Sequence, residues 1–103
     1  MKENMAKRMA PVHPGMFLKK LMTEFGLTQY ALAKAIDVQP IRIGQIVAGK
    51  RAVTPDTALR LARYFGSDAK SWVNWQSHYD LEVAAQLLEA KIKRDVVPMK
   101  AAA

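Results

Sequence analysis

Residues 28–51 constrain the fold of this chain more than any other stretch, because they predict two short helices separated by a tight turn. Thr28 suits the N-cap of the first helix, since its hydroxyl can accept a free N–H of the first turn. Leu32, Ala33 and Ile36 recur at the spacing of one buried helix face. The small side chain of Ala33 also allows a second helix to pack closely against the first.

The turn and the second helix follow directly. Asp37 occupies the turn position that needs a positive φ, a conformation that residues other than glycine adopt at some cost. Gln39 is a poor N-cap, but Pro40 fits the first helical position, where a missing N–H costs nothing. The second helix ends at Gly49. Its predicted buried face consists of Ile43, Ile46 and Val47. Two helices in this arrangement form a helix-turn-helix, whose second helix enters a DNA major groove.

Helical signals also flank this unit on both sides. A proline near the start and a glycine at the end bound two further helices, in residues 14–26 and 54–66. Ser67 or Asp68 caps a last helix, along one side of which lie Trp72, Trp75, Tyr79, Val83 and Leu87. No segment shows the alternation of a strand. We therefore predict an all-α fold of about five helices with short connections.

These elements divide the chain into four segments. Residues 1–12 are polar and basic without a helical period, so we expect a flexible arm there. Residues 13–66 form the predicted DNA-binding domain, with the helix-turn-helix itself at 28–49. Residues 67–95 form a C-terminal helix for packing or dimerisation, and residues 96–103 form a flexible tail.

The charge of the chain is unevenly distributed. The net charge of the 103 residues is +7, and residues 1–65 carry eleven Lys or Arg against four Asp or Glu. Residues 66–90 carry one Lys against four acids. A basic surface favours nucleic acid or another polyanion as partner. The two parts of the chain are therefore expected to face different partners.

Several kinds of chemistry find no support in the composition. Cysteine is absent, so disulfides and thiolate metal sites are excluded. His13 and His78 are far apart, and we expect the first in a loop and the second on the polar side of the last helix. No arrangement of nucleophile, base and acid suggests catalysis, and no apolar run is long enough to cross a membrane. We predict a protein that is not an enzyme and that needs no metal or cofactor.

Four segments together resemble one family: LTQYALAKAIDV, IVAGKR, TPDTALRLARYFG and WVNWQSHYDL. They are similar to the HigA-type (VapI-like) antitoxins, which belong to the Cro/cI-like helix-turn-helix class. The similarity covers roughly residues 11–90. It implies a lambda-repressor-like domain with a C-terminal helix extension. It further implies a bacterial cytoplasmic homodimer that binds a palindromic operator, represses its own operon and neutralises a RelE-like mRNA-cleaving toxin.

The resemblance also implies which residues contact DNA: Thr28, Gln29, Gln39, Pro40, Ile41, Arg42, Gln45, Lys50 and Arg51. By position, Gln29 is expected at a phosphate or a flanking base, while Lys50 and Arg51 anchor the DNA backbone. Chemistry agrees, because Gln pairs well with adenine, Arg pairs with guanine, and basic side chains bind phosphates.

Two positions depart from the family pattern. Ile41 stands where a polar residue is common, so it is either an exposed contact to a thymine methyl or sugar, or a partly buried packing residue. Gly44 weakens the second helix by about 1 kcal/mol relative to Ala, or allows a close approach of the backbone. These departures affect the DNA sequence that is read and leave the predicted fold unchanged.

Three alternatives to this function remain open at this point. The protein could be a solitary repressor without a toxin. It could instead be a toxin-binding module with little DNA binding, in which the arm or the acidic stretch of residues 68–89 covers a basic toxin. A helix-turn-helix kept only as a protein-interaction scaffold is the third. The aromatic side of the last helix is expected to serve core or dimer packing rather than a ligand pocket.

Overall fold

The structure, a computed structural model, describes residues 10–100 and has five helices and no strand within that range. The helices are α1 (Pro14–Glu24), α2 (Gln29–Ile36), α3 (Pro40–Val47), α4 (Pro55–Phe65) and α5 (Ala69–Asp95). The predicted all-α class and the order of the elements are confirmed. The expected arm falls mostly on residues 1–9, which lie outside the described residues, as do residues 101–103 of the expected tail.

One apolar core holds the five helices together. Every helix contributes to it, and its largest fully buried aliphatic side chains are Leu18, Leu32, Ile43, Ile46, Val53 and Leu61. Burying one such side chain contributes roughly 1.5–3 kcal/mol. The predicted inward faces of α2 and α3 are both part of this core, with Val47 partly buried at its edge.

Each helix begins at a residue that the local sequence predicts, with one addition. The hydroxyls of Thr28 and Thr54 accept from the backbone N–H groups of the first turns of α2 and α4. Asp68 rather than Ser67 caps α5. The addition is His13, which is buried and caps α1 by accepting from the Gly15 N–H at 2.8 Å. His13 does lie in the loop before α1, as expected, but its burial and its capping bond were not predicted.

The turn between α2 and α3 takes the form that the sequence predicts. Asp37 has φ 61°, and it is the only residue other than glycine with a positive φ among residues 10–100. The N–H of Val38 bonds to the carbonyl of Ala33, and the Asp37 N–H bonds to that of Lys34. This is a Schellman motif with aspartate in the place that glycine usually holds. It turns the chain sharply enough to bring α3 across α2.

Helix α5 has two different halves. Its first half packs on the core, where Trp72 and Gln76 are buried and the Gln76 side chain accepts from the Val53 N–H at 2.8 Å. From residue 85 onward every described residue is exposed. A helix of 27 residues is about 40 Å long, so its distal half projects from the core. None of the helices of residues 10–100 combines the length and the apolar character of a membrane span.

Candidate nucleic-acid interface

Helix α3 presents a narrow outward face. Ile43 and Ile46 on its inner side are fully buried, whereas Ile41 is 61% exposed. Gln45 follows Ile41 by four residues and therefore lies beside it on the same face. This exposure excludes the packing alternative for Ile41, and its contact to DNA stays a prediction.

One flank of α3 is fixed by Gln29 from the start of α2. The side-chain Nε2 of Gln29 donates to the carbonyl oxygen of Pro40 at 2.9 Å. The same amide lies over Gly44, where a Cβ atom would come within 2.8 Å of Nε2. Gly44 is therefore explained by close approach, with a side chain rather than a backbone as the neighbour.

The opposite flank is fixed by Arg42. Its Nη1 donates to Oδ2 of Asp56 at 2.7 Å and to Oγ1 of Thr57 at 3.2 Å, both at the start of α4. The guanidinium groups of Arg42 and Arg60 lower the pKa of Asp56, so this carboxylate stays ionised. Arg60 also donates to the backbone carbonyls of Ile36 and Asp37. A base contact by Arg42 would have to compete with this ion pair.

The C-terminal end of α3 brings two cations back toward its outward face. Gly49 has φ 74°, and the N–H of Lys50 bonds to the carbonyl of Gln45 at 2.8 Å. This bond reverses the chain over the last turn of the helix. Lys50 is exposed, and Nη1 of Arg51 donates to Oε1 of Gln45 at 3.0 Å.

The N-terminal end of α3 carries the other predicted contacts. Gln39 is exposed and makes no cap bond with its side chain, and Pro40 is the first helical residue. Thr28 is committed to capping α2 through a bond to the Ala31 N–H at 3.0 Å. The helix dipole makes the N-terminus of α2 positive, so the end of α2 that Thr28 caps suits a DNA phosphate.

Sequence reasoning missed the residues that support α3 from other helices. Neither Asp56 nor Arg60 was among the residues expected at the DNA interface. The spacing of four residues between them was the available signal, and it corresponds to an ion pair of 3.2 Å. No pattern could reveal that Arg42 joins the same group from 14 residues away.

The arrangement is that of a helix-turn-helix, with a supported recognition helix and cations at its end. No group of His, Asp or Glu side chains within residues 10–100 is placed to hold a metal ion. A family model described as helix-turn-helix matches residues 18–71. The fold, the site and the family model thus all identify a protein of the helix-turn-helix class.

Individual relatives narrow this class. The chain is 52% identical to Virulence-associated protein I of Dichelobacter nodosus over 79 residues, which cover 76% of this chain and 73% of that protein. An addiction module antidote protein of the HigA family from Coxiella burnetii has a TM-score of 0.82 at 37% identity, covering 88% of this chain and all of that one. The Pseudomonas aeruginosa antitoxin HigA, solved with the higBA promoter, has a TM-score of 0.83 at 36% identity, covering 86% and 98%.

The chain therefore belongs to the HigA-type, VapI-like family of helix-turn-helix proteins. This agrees with the resemblance seen in the sequence. The family consists of DNA-binding antitoxins and regulators rather than enzymes, in agreement with the expectation of no catalysis.

Proposed function

We propose that this protein is a sequence-specific DNA-binding antitoxin that represses its own operon and neutralises a RelE-like mRNA-cleaving toxin. The observation that carries the DNA-binding part is the outward face of α3, where Ile41 and Gln45 lie side by side and both flanks are held from neighbouring helices. The structure of the P. aeruginosa antitoxin with its promoter supports the same use of this fold.

The contacts support three kinds of role for the predicted DNA-binding residues. Gln39, Ile41 and Gln45 are exposed or partly exposed on α3 and would meet base edges. Lys50 beyond its end would bind a phosphate, which fixes register without reading sequence. Gln29 and Arg42 are occupied by contacts to Pro40 and Asp56, and their main role would be to hold α3 at a fixed angle.

A homodimer would form through an exposed apolar stripe on α5. Leu81, Ala85, Leu88 and Ile92 repeat at spacings of four, three and four residues and form one apolar stripe. Trp72 precedes Leu81 by nine residues, or two and a half helical turns, so the stripe lies on the side of α5 opposite the buried Trp72. All four residues of the stripe are exposed. A second copy that covers this stripe would place two α3 helices on a palindromic operator with half-sites about one helical turn apart.

Neutralisation of a toxin is supported by the HigA-family relatives and by the charge of the second part of the chain. Asp80, Glu82 and Glu89 are all exposed on α5. A basic ribonuclease would be drawn to such a surface by electrostatic steering. These acids lie on α5, which carries none of the predicted DNA contacts, so DNA and toxin would be bound by different helices.

Two measurements test the proposal. Selection of binding sites from a randomised DNA duplex library should recover a palindrome, and recovery of no common sequence would contradict specific DNA binding. Tagged protein purified from its native cells at moderate salt should carry a small basic protein of RelE-like sequence in fixed stoichiometry. Specific DNA binding without such a partner would instead identify a solitary repressor.

A further inference from the structure

Gln45 and Arg51 are held together by the way α3 ends. The N–H groups of Gly49 and Lys50 bond to the carbonyls of Ile46 and Gln45 at 2.9 and 2.8 Å. These two bonds fix the backbone beyond the helix relative to its last turn. Arg51 is the next residue, so its side chain starts from a defined position beside Gln45.

The contact between the two side chains orients the Gln45 amide. Nη1 of Arg51 donates to Oε1 of Gln45 at 3.0 Å. The amide oxygen therefore faces the guanidinium, and the amide NH₂ group faces away from it. Because Gln45 lies on the outward face of α3, this orientation decides which hydrogen-bonding groups the helix offers to a base pair.

We propose that Gln45 and Arg51 act as one recognition unit that reads a guanine in each half-site, an inference that rests on the proposed DNA-binding function. With Oε1 engaged by Arg51, the pair offers donors: the NH₂ of Gln45 and the remaining N–H groups of Arg51. Guanine presents two acceptors in the major groove, N7 and O6. A set of donors therefore matches a G·C pair better than an A·T pair.

This assignment differs from what the two residue types suggest separately. A free glutamine pairs with adenine by donating to N7 and accepting from N6 through its oxygen. In this protein that oxygen accepts from Arg51 with one lone pair and is turned toward the guanidinium, so the NH₂ is the amide group that faces away from Arg51. Arg51 thereby acquires a part in reading the sequence, beyond the phosphate anchoring expected from its position after the helix.

The test is selection from a randomised duplex library with the full-length protein and four variants: Gln45→Ala, Arg51→Ala, Arg51→Lys and Lys50→Ala. Wild type should select a G·C pair at one position of each half-site. Gln45→Ala and Arg51→Ala should both lose the preference at that same position. Lys50→Ala, the matched control, should select the same sequence as wild type while binding all duplexes more weakly. Thermal unfolding of each variant verifies that it is folded.

Affinities for the selected duplex then measure the coupling. Each single alanine variant should bind about 5- to 150-fold more weakly, as expected for loss of one specific base contact. If the residues act as a unit, the double variant loses no more than the weaker-binding single variant. Arg51→Lys keeps the charge but not the planar guanidinium, so the guanine preference should stay lost.

Three results with the variants would overturn the recognition unit while leaving the proposed function intact. These are preferences lost at two different positions, losses that multiply in the double variant, or a guanine preference restored by Arg51→Lys. Selection of adenine by wild type at the shared position would also overturn it. If wild type selected no sequence at all, the proposed DNA-binding function would fail together with the inference.

Discussion

Gln29 and Pro40 are joined by a hydrogen bond of 2.9 Å that links the two helices of the motif. The donor is a side chain at the start of α2, and the acceptor is a backbone carbonyl in the first turn of α3. A carbonyl oxygen has two lone pairs, so this one can serve the helix and Gln29 together. The bond therefore fixes the angle between the helices without weakening α3.

Gly44→Ala tests this link. Alanine favours a helix by about 1 kcal/mol relative to glycine, but its Cβ would displace the Gln29 amide from its place over α3. We expect thermal stability to be unchanged or higher and operator affinity to fall, as measured by melting and by fluorescence anisotropy. Gln29→Ala is the matched background, in which Gly44→Ala should cause no further loss of affinity. An equal loss in both backgrounds would show that Gln29 plays no part.

The backbone at Asp37 allows a stabilising substitution. Its φ of 61° is unfavourable for an L-residue and free of that cost for glycine. Asp37→Gly should raise the free energy of unfolding by about 0.5–1 kcal/mol, after the extra entropy of a glycine in the unfolded chain is subtracted. Urea denaturation would measure the change. Asp37→Ala has the same side-chain loss without the conformational gain and should be no more stable than wild type.

His13 should make stability depend on pH in mildly acidic solution. Burial lowers its pKa, against smaller opposing effects of the Arg51 backbone and the Asp80 carboxylate, and its ring lies edge-on to Tyr79 at 4.9 Å. The folded state therefore favours the neutral imidazole, which caps α1. The stabilisation is complete above the unfolded pKa of about 6.5 and is lost as pH falls through the lower folded value.

His13→Asn separates capping from titration, because asparagine is a good N-cap and carries no proton in this range. The melting temperature of this variant should fall less between pH 7 and pH 5 than that of wild type. His78→Asn removes the other histidine, which is exposed, and should leave the wild-type profile intact. Parallel profiles for His13→Asn and wild type would refute the role of His13.

Ile41 should read a thymine methyl group. It is exposed at the centre of the outward face of α3, and an apolar side chain has only methyl or sugar surface to contact in the major groove. Replacing each thymine of the selected operator in turn by deoxyuracil should weaken wild-type binding by a few-fold at one position per half-site. Ile41→Ala should bind more weakly and lose this sensitivity. Sensitivity retained in Ile41→Ala would assign the methyl contact to another residue.

Lys50 should contribute charge without sequence preference. Lys50→Ala should reduce the slope of log affinity against log salt concentration by about one, because one fewer phosphate is neutralised. Lys93→Ala, which removes a lysine from the distal half of α5, serves as the control for loss of positive charge. If both variants changed the slope equally, the effect would reflect net charge rather than a phosphate contact.

The sequence predicts the helices of this protein well because their ends are determined locally. Thr28 and Thr54 cap the helices that follow them, and Asp37 and Gly49 end the preceding ones, all within a few residues. These interactions depend on neighbours in the chain, so their residue types are sufficient evidence.

Contacts between distant residues could not be predicted in this way. Gln76 is a polar residue on the side of α5 that packs on the core, yet it is buried because the Val53 N–H, 23 residues away, needs an acceptor. Arg42 has the residue type of a base reader, but its partner Asp56 becomes visible only when α4 is placed beside α3. The sequence therefore predicted which residues lie at the candidate site. It did not predict that some of their side chains are already bonded to other parts of the protein.

The bonds that support α3 all leave its sides or its ends, and none of them uses the side chains of Gln39 or Ile41. Those two positions are free to vary without cost to the helix or to its angle against the core. A change of operator during evolution would need only a few substitutions at the outward surface. The same property makes this domain suitable for reprogramming, in which residues 39 and 41 are randomised while the framework of α2 and α4 is kept.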